Sequence, residues 1–207
     1  MHIPDGLLSA PVIVITYAIT VLAVLYASKK LRNFPEERIP PLLGLFAAGI
    51  FAAQMVNFPI IGGVSGHLLG ATLVAIILGP PHASVIVMTS VLLIQTLLFG
   101  DGGITAIGAN ILNMGLVGAF VGYGIYSRFR GGINETLATS LAAWFSVVLG
   151  AALASVEIGL SHSLPFLRVL ALMVGYHSII GIGEAVLTVL IVHAVRAKLP
   201  SMEVVPA

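Results

Sequence analysis

The sequence contains no cysteine, and this absence removes several classes of function at once. Without thiols the chain cannot form disulfides, bind a metal through thiolates or use a catalytic cysteine. Charged side chains are also scarce, at 8% of the 207 residues, whereas hydrophobic residues make up 58%. A net charge of +1 leaves no basic surface, which excludes nucleic acid as a partner. The composition therefore predicts an integral membrane protein in which any bound metal has nitrogen or oxygen ligands.

Lysine is rare as well, and none of its three positions belongs to a phosphate-binding loop. No G-x-x-x-x-G-K-[ST] run is present, so the chain has no site of its own for ATP hydrolysis. The H-E-x-x-H motif of zinc metalloproteases is also missing. We therefore expect that the chain is not an enzyme.

Long apolar runs fill the chain and predict a bundle of transmembrane helices, because about 20 apolar residues cross a bilayer as a helix. The third run is too short to cross as a straight helix, so we expect the preceding FPIIGGV to complete the crossing as coil. The predicted fold class is an all-α integral membrane protein, with residues 1–207 forming a single transmembrane domain. The seven predicted spans are residues 7–28, 41–58, 65–79, 83–99, 104–127, 135–157 and 169–195.

The basic residues lie almost entirely on one side of these spans. By the positive-inside rule, this places the amino terminus outside and the carboxyl terminus in the cytoplasm, with only Arg168 on the outer side. No positive charge precedes the first apolar run, so we expect the first span to be retained rather than cleaved as a signal peptide. The basic residues assigned to the cytoplasmic side are Lys29, Lys30, Arg32, Arg38, Arg128, Arg130, Arg196 and Lys198.

The opening MHIPDG places a histidine at position 2, on the predicted outer side. The terminal amine of Met1, the main-chain nitrogen of His2 and its imidazole can close adjacent five- and six-membered rings on one ion. The amide nitrogen binds only after losing its proton, which ions such as Cu(II) and Ni(II) promote, and these ions favour square-planar nitrogen sets. His67, in the glycine-rich stretch GGVSGHLLG, is the best candidate for the fourth ligand. Residues 1–6 are therefore predicted to be an extracellular metal-chelating segment.

Several polar residues are candidates for orienting this chelate. Asp5 is expected to accept a hydrogen bond from an imidazole N–H, although IPDG also fits an ordinary turn with Asp5 capping the first helix. Asp101 in the outer DGG stretch is a candidate ion-attracting carboxylate, and a simple tight turn is the alternative. Polar residues within the spans, Gln95 and Asn113 among them, are more often contacts between helices than functional groups. The residues predicted to support the site are Asp5, Asn57, Ser65, Asp101 and Asn110.

Glu184 is the one carboxylate predicted to lie well inside the bilayer, where it needs a partner. His177 precedes it by two turns on the same helix face and is predicted to pair with it. The pair is interpreted as a structural hydrogen bond or a subunit contact. The alternative is a proton or ion relay, which would make the chain an autonomous channel or a proton-coupled metal transporter. Transport by the purified protein without an ATPase would favour that alternative.

Four separate stretches of the sequence carry a resemblance to a known family. They are MHIPDGLLS, GGVSGHLLGATLVAIILGP, LLFGDGGITAIGANILNMG and IGIGEAVLT. Together they resemble the CbiM/NikM family, the substrate-capture S components of nickel and cobalt energy-coupling-factor (ECF) transporters. The resemblance implies a six-helix core with one added helix, and a terminal Met-His segment folded into the bundle. It also implies that Ni(II) or Co(II) is the transported substrate and that Met1, His2 and His67 are its ligands.

The same resemblance implies the partners of the chain. A transmembrane coupling (T) subunit and two cytoplasmic ATPase subunits would supply the ATP hydrolysis, and a small accessory membrane subunit accompanies many metal-specific members. The chain would then be the capture subunit of an ATP-driven importer, embedded in the lipid of the cell membrane. Planar four-nitrogen coordination favours nickel over cobalt.

Overall fold

The computed structural model describes residues 1–32, 39–79 and 81–198, which form a helical bundle with one short β-hairpin. Arg38, used above to orient the chain, lies outside the described residues. The helices are α1 (Ala10–Leu31), α2 (Ile39–Gln54), α3 (Ala71–Leu78), α4 (Pro81–Phe99), α5 (Ile107–Asn110), α6 (Gly118–Phe129), α7 (Glu135–Leu160) and α8 (Phe166–Lys198), with a π-helical segment over Ile111–Val117 and two strands, β1 (Phe58–Ile61) and β2 (Val64–Gly66).

Five helical stretches in the described part of the chain are long and apolar enough to cross a membrane. They are α1, α4, α7, α8 and the continuous stretch Ile107–Phe129, and each coincides with one predicted span. Helix α2 has 16 residues and α3 has eight, which is short for a full crossing. The prediction of a mostly helical membrane protein is confirmed, whereas the total of seven crossings and the orientation stay predictions.

The segment before α3 is not the coil that we expected. It forms an antiparallel hairpin in which Phe58 pairs with Gly66 and Ile61 with Val64, with an irregularity between Pro59 and Ile61. The hairpin pairs the main-chain N–H and C=O groups that lie between its two strands, which a coil would leave without partners. The all-α prediction is therefore corrected by this small two-stranded sheet.

Helix α3 follows the hairpin in the chain and lies inside the bundle. All of its residues except Leu73 are buried, and it packs against α4, α6 and α8. Helices α7 and α8 form an extensive antiparallel pair, in which the Trp144 indole N–H donates to the Ser178 carbonyl at 3.0 Å. Helix α8 also contacts both strands of the hairpin.

Candidate metal centre

The first three residues are buried inside the bundle. Met1, His2 and Ile3 are 0%, 1% and 0% exposed. Asn110 holds the main chain of Ile3 twice: its Oδ1 accepts the Ile3 N–H at 2.8 Å, and its Nδ2 donates to the Ile3 carbonyl at 3.1 Å. The same carbonyl accepts the Gly103 N–H at 2.9 Å. The terminal segment is therefore fixed by the end of α5 and by the loop that follows α4.

The hairpin holds the other edge of this segment. The Ser65 N–H donates to the His2 carbonyl at 3.2 Å, and the His2 N–H donates to the Ser65 hydroxyl at 3.1 Å. Ser65 Oγ also lies 3.3 Å from Nδ1 of the His2 ring. One hydroxyl thus contacts both His2 nitrogens that the chelate requires and keeps them on the same side.

The imidazole of His2 presents its Nδ1 lone pair towards this hydroxyl. Its Nε2 lies 3.0 Å from Gln95 Oε1, an atom that can only accept, so Nε2 carries the ring proton. Burial, followed by the charge of the amino terminus, lowers the pKa of His2 to about 3. Burial also lowers the pKa of the Met1 amine well below its usual range. Both shifts favour the neutral forms, in which nitrogen binds a metal.

His67 supplies a further nitrogen from the chain that follows the hairpin. It is 2% exposed, and its Nδ1–H donates to the Leu68 carbonyl at 2.7 Å. That bond leaves the lone pair on Nε2, which contacts the Met1 amine nitrogen directly. The centroids of the His2 and His67 rings lie 4.6 Å apart.

These contacts gather four nitrogens: the Met1 amine, the His2 main-chain nitrogen, His2 Nδ1 and His67 Nε2. In a square-planar set with bonds of about 2 Å, neighbouring nitrogens lie about 2.8 Å apart. The Met1 amine and His67 Nε2 are in direct contact, so these two nitrogens are close enough to be neighbouring ligands of one ion. No three His, Asp or Glu side chains within the described ranges form a metal cluster. Metal binding here would therefore depend on main-chain and terminal nitrogens.

Asp101 borders this site and is partly exposed. Its Oδ1 lies 3.4 Å from His2 Nδ1, and its Oδ2 accepts the Asn57 amide N–H at 2.8 Å. Partial burial raises the pKa of the Asp101 carboxyl, and the Met1 amine opposes that increase only when it is protonated. Gly102 follows with φ +90°, and a Cβ there would lie 3.1 Å from the His2 ring. The glycine at this bend therefore allows the carboxylate to approach the site.

Asp5 does not contact an imidazole, so that expected hydrogen bond is wrong. Its exposed carboxylate accepts the Ile104 N–H at 3.1 Å, the Thr105 N–H at 2.7 Å and the Thr105 hydroxyl at 2.6 Å. The hydroxyl is the main cause that lowers the pKa of Asp5. Capping of α1 by Asp5 is also wrong, because Ser9 occupies the N-cap position. Gly103 lies against the Asp5 main chain. The Asp5 carboxylate is therefore close to the N–H groups of the loop after Gly103 and not to an imidazole ring.

Glu184 and His177 do not pair either. Glu184 accepts the Leu69 N–H at 2.8 Å and the Gly70 N–H at 2.5 Å, whereas His177 Nδ1 donates to the Met173 carbonyl at 2.8 Å. The chain that leaves the hairpin has main-chain N–H groups without strand partners, and one carboxylate satisfies two of them. These contacts give the relay interpretation no support.

Sequence reasoning missed a second buried carboxylate, Glu157 in α7. It is 4% exposed, and its Oε2 accepts the Asn113 amide at 2.6 Å. The predicted span ended at this residue, but the apolar run continues to Leu160, and that continuation was the available signal. The role of Gln95 was also underestimated, because its contact with the His2 ring is more than a contact between helices.

Comparisons of the sequence with known proteins all indicate the same family. A family model described as "Cobalt uptake substrate-specific transmembrane region" matches residues 2–202. The chain is 40% identical to a putative fused nickel transport protein NikMN of Archaeoglobus fulgidus, over 98% of this chain and 68% of that protein. It is 31% identical to the cobalt transport protein CbiM of Thermosediminibacter oceani, over 93% of this chain and 83% of that protein. These relatives are named as transport proteins, which agrees with the expectation that the chain is not an enzyme.

Solved structures show the same fold. A crystal structure of a truncated transition metal transporter superposes with a TM-score of 0.90 at 35% identity, covering 96% of this chain and 99% of that one. A second structure, of a transition metal transporter, superposes equally well and is covered to 93%. The chain therefore belongs to the CbiM family of membrane proteins for cobalt uptake, which includes relatives named for nickel transport.

Proposed function

We propose that this chain captures a divalent transition metal ion at the outer face of the cell membrane. The ligands are the Met1 amine, the main-chain nitrogen and Nδ1 of His2, and Nε2 of His67. The observation that carries this proposal is the buried contact between the Met1 amine and His67 Nε2, beside the two His2 nitrogens that share Ser65 Oγ. Three of these nitrogens belong to the first two residues, so the sizes of the two chelate rings, five- and six-membered, are set by covalent connectivity.

The proposed ion is Ni(II) in preference to Co(II). Binding through the His2 main-chain nitrogen needs an ion that displaces the amide proton, and that proton leaves to solvent. A planar four-nitrogen set suits Ni(II) better than Co(II), which is less committed to this geometry. The names of the relatives include both metals, so the preference rests on the donor set.

The energy for transport is proposed to come from partner subunits. We assign the chain as the S component of an ECF importer, with a T subunit and two cytoplasmic ATPases, on the basis of its resemblance to that family. The sequence itself has no phosphate-binding loop with which to hydrolyse ATP. A small accessory membrane subunit completes the proposed complex. The proposed topology has seven crossings with the amino terminus outside, and in it the chelate would meet extracellular metal.

The first experiment is an equilibrium titration of the purified protein with Ni(II) and with Co(II), followed by visible absorption. The test variant carries two alanines inserted between Met1 and His2, which keeps every side chain but moves the amine away from the His2 ring. A single inserted alanine is unsuitable, because histidine at position 3 can form a four-nitrogen chelate of its own. A second variant, His67→Gln, removes the fourth nitrogen without changing the terminus.

We expect the wild type to bind one Ni(II) with a yellow, diamagnetic square-planar spectrum and to bind Co(II) more weakly. Both variants should lose that spectrum and more than about a hundredfold in affinity, beyond the usual effect of losing a supporting partner. The matched control carries two alanines between Gly131 and Gly132, in an exposed turn, and should bind like the wild type. Unchanged binding by the terminal insertion would exclude the amine as a ligand, and equal affinity for both ions would remove the nickel preference.

A further inference from the structure

The ligating nitrogens are shielded from water in this conformation. Met1, His2 and His67 are each at most 2% exposed. The side chain of Asp101, in contrast, is 17% exposed, and its Oδ1 lies 3.4 Å from His2 Nδ1. This carboxylate therefore extends from the outer surface to one of the chelating nitrogens.

A captured dication also leaves the buried site positively charged. The four nitrogens contribute at most one negative charge, through loss of the His2 amide proton, so a net positive charge remains. Burial of an uncompensated charge is strongly unfavourable, and a neighbouring carboxylate reduces that penalty. The site thus needs a counter-ion within direct reach.

Asp101 is the described carboxylate placed to meet that need. Asp5, Glu157 and Glu184 are already hydrogen-bonded to the outer loop, to a helix amide and to main-chain N–H groups, respectively. Asp101, in contrast, has its Oδ1 3.4 Å from His2 Nδ1. The Asn57 amide holds only its Oδ2, which leaves Oδ1 directed at the chelate.

We propose that Asp101 receives the incoming divalent cation at the outer surface, passes it to His2 Nδ1 and remains beside the bound ion as its counter-ion. The inference rests on the metal-capture function proposed above and adds the residue that controls the rate of capture. Attraction between a carboxylate and a dication accelerates their encounter and is screened by salt. A carboxylate in this position therefore acts on the association rate as well as on affinity.

The test is stopped-flow measurement of Ni(II) binding to the full chain in a non-ionic detergent, at several ionic strengths. Asp101→Asn removes the charge but keeps the shape and the main-chain contacts. We expect its association rate to fall by about tenfold or more and to lose most of its salt dependence. The dissociation rate should rise, because the bound ion has lost its counter-ion.

Two further variants separate charge from shape. Asp101→Glu retains the carboxylate and should recover the salt dependence of association, even if its rate is lower. Asn57→Ala retains Asp101 but frees its Oδ2, and should change the association rate by no more than about threefold. Thermal unfolding of each metal-free variant, measured in parallel, reports any loss of the fold itself.

The inference is overturned if Asp101→Asn binds Ni(II) at the wild-type rate and with the wild-type salt dependence. It is also overturned if Asp101→Glu fails to restore the salt dependence while its metal-free form unfolds like the wild type. Absence of binding by the wild type would instead reject the capture function and this inference with it. Failure of the capture function and failure of the role assigned to Asp101 therefore give different results.

Discussion

At the scale of single residues, Asn110 makes two hydrogen bonds that position the chelating segment. Asn110→Ala removes both of its hydrogen bonds to the main chain of Ile3 and leaves a buried N–H without a partner. We expect the free energy of unfolding of the metal-free protein to fall by about 1–3 kcal/mol. Nickel affinity should fall by about 10- to 100-fold, as for other supporting partners of metal ligands. Denaturant unfolding and a Ni(II) titration measure the two effects.

The matched control for this change is Asn134→Ala at the opposite end of the bundle. Asn134 Oδ1 accepts the Thr136 N–H at 2.7 Å and caps α7. Loss of a helix cap costs about 1 kcal/mol, but Asn134 has no contact with the terminal segment, so nickel affinity should stay the same. Equal losses of affinity in both variants would show that general stability, rather than the position of Ile3, controls binding.

At the scale of helices and strands, α3 and α6 lie in close contact. Gly122 in α6 faces Thr72 in α3, and a Cβ at this glycine would lie 2.8 Å from the Thr72 Cβ. The Thr72 hydroxyl lies within hydrogen-bonding distance of both the Gly118 carbonyl, at 3.1 Å, and Ser146 Oγ, at 2.8 Å, so it has little freedom to move aside. The glycine is therefore needed for the approach of the two helices.

Two glycines of α6 provide a matched test of this contact. Gly122→Ala should lower the free energy of unfolding by about 1–3 kcal/mol, the usual cost of overpacking a filled core. Gly124→Ala, where nothing lies within 4 Å of the added Cβ, should be neutral or stabilise the helix by up to about 1 kcal/mol. Unfolding in detergent measures both, and equal behaviour of the two variants would contradict a tight contact between α3 and α6.

At the scale of the whole molecule, basic residues and an ion-pair network mark one end of the bundle. Arg196 near the end of α8 pairs with Glu135 at the start of α7, and its Nη2 donates to the Tyr126 hydroxyl at 2.8 Å. Tyr126 belongs to α6 and donates in turn to Glu135 at 2.8 Å. The network joins three helices at the end that the positive-inside rule assigns to the cytoplasm.

Because the natural sequence has no cysteine, single introduced thiols report this orientation directly. We expect His162→Cys, in the exposed turn between α7 and α8, to react with a membrane-impermeant maleimide in intact cells. Gly131→Cys, in the exposed turn between α6 and α7, should react only after the membrane is permeabilised. The wild type serves as the unlabelled control, and reaction of both thiols in intact cells would contradict the proposed orientation.

Much of the architecture could be predicted from local patterns. Apolar run length predicts the five long helices, because the hydrocarbon thickness of a membrane sets how many residues a helix needs. The adjacency of Met1 and His2 likewise suffices to suggest a chelate, since the ring sizes depend only on covalent connectivity. The family resemblance, confirmed by the comparisons, follows from motifs that are contiguous in the chain.

Other features could be recognised only from the three-dimensional structure of the bundle. The hairpin before α3 was expected as coil, because a short stretch with two glycines does not reveal that its two sides pair with each other. Glu157 and Glu184 were likewise misjudged, since their partners come from other elements of the bundle.

The sequence by itself determined that this chain is a membrane protein of a metal-uptake family, with candidate nitrogen ligands at its terminus and in a glycine-rich loop. Only the tertiary structure decided that these nitrogens meet, and that Gln95, Asn110 and Asp101 surround them. The physical reason is that composition and covalent connectivity act along the chain. Contacts between distant residues depend instead on which helix faces pack together, and apolar patterns that are uniform around each helix do not specify this.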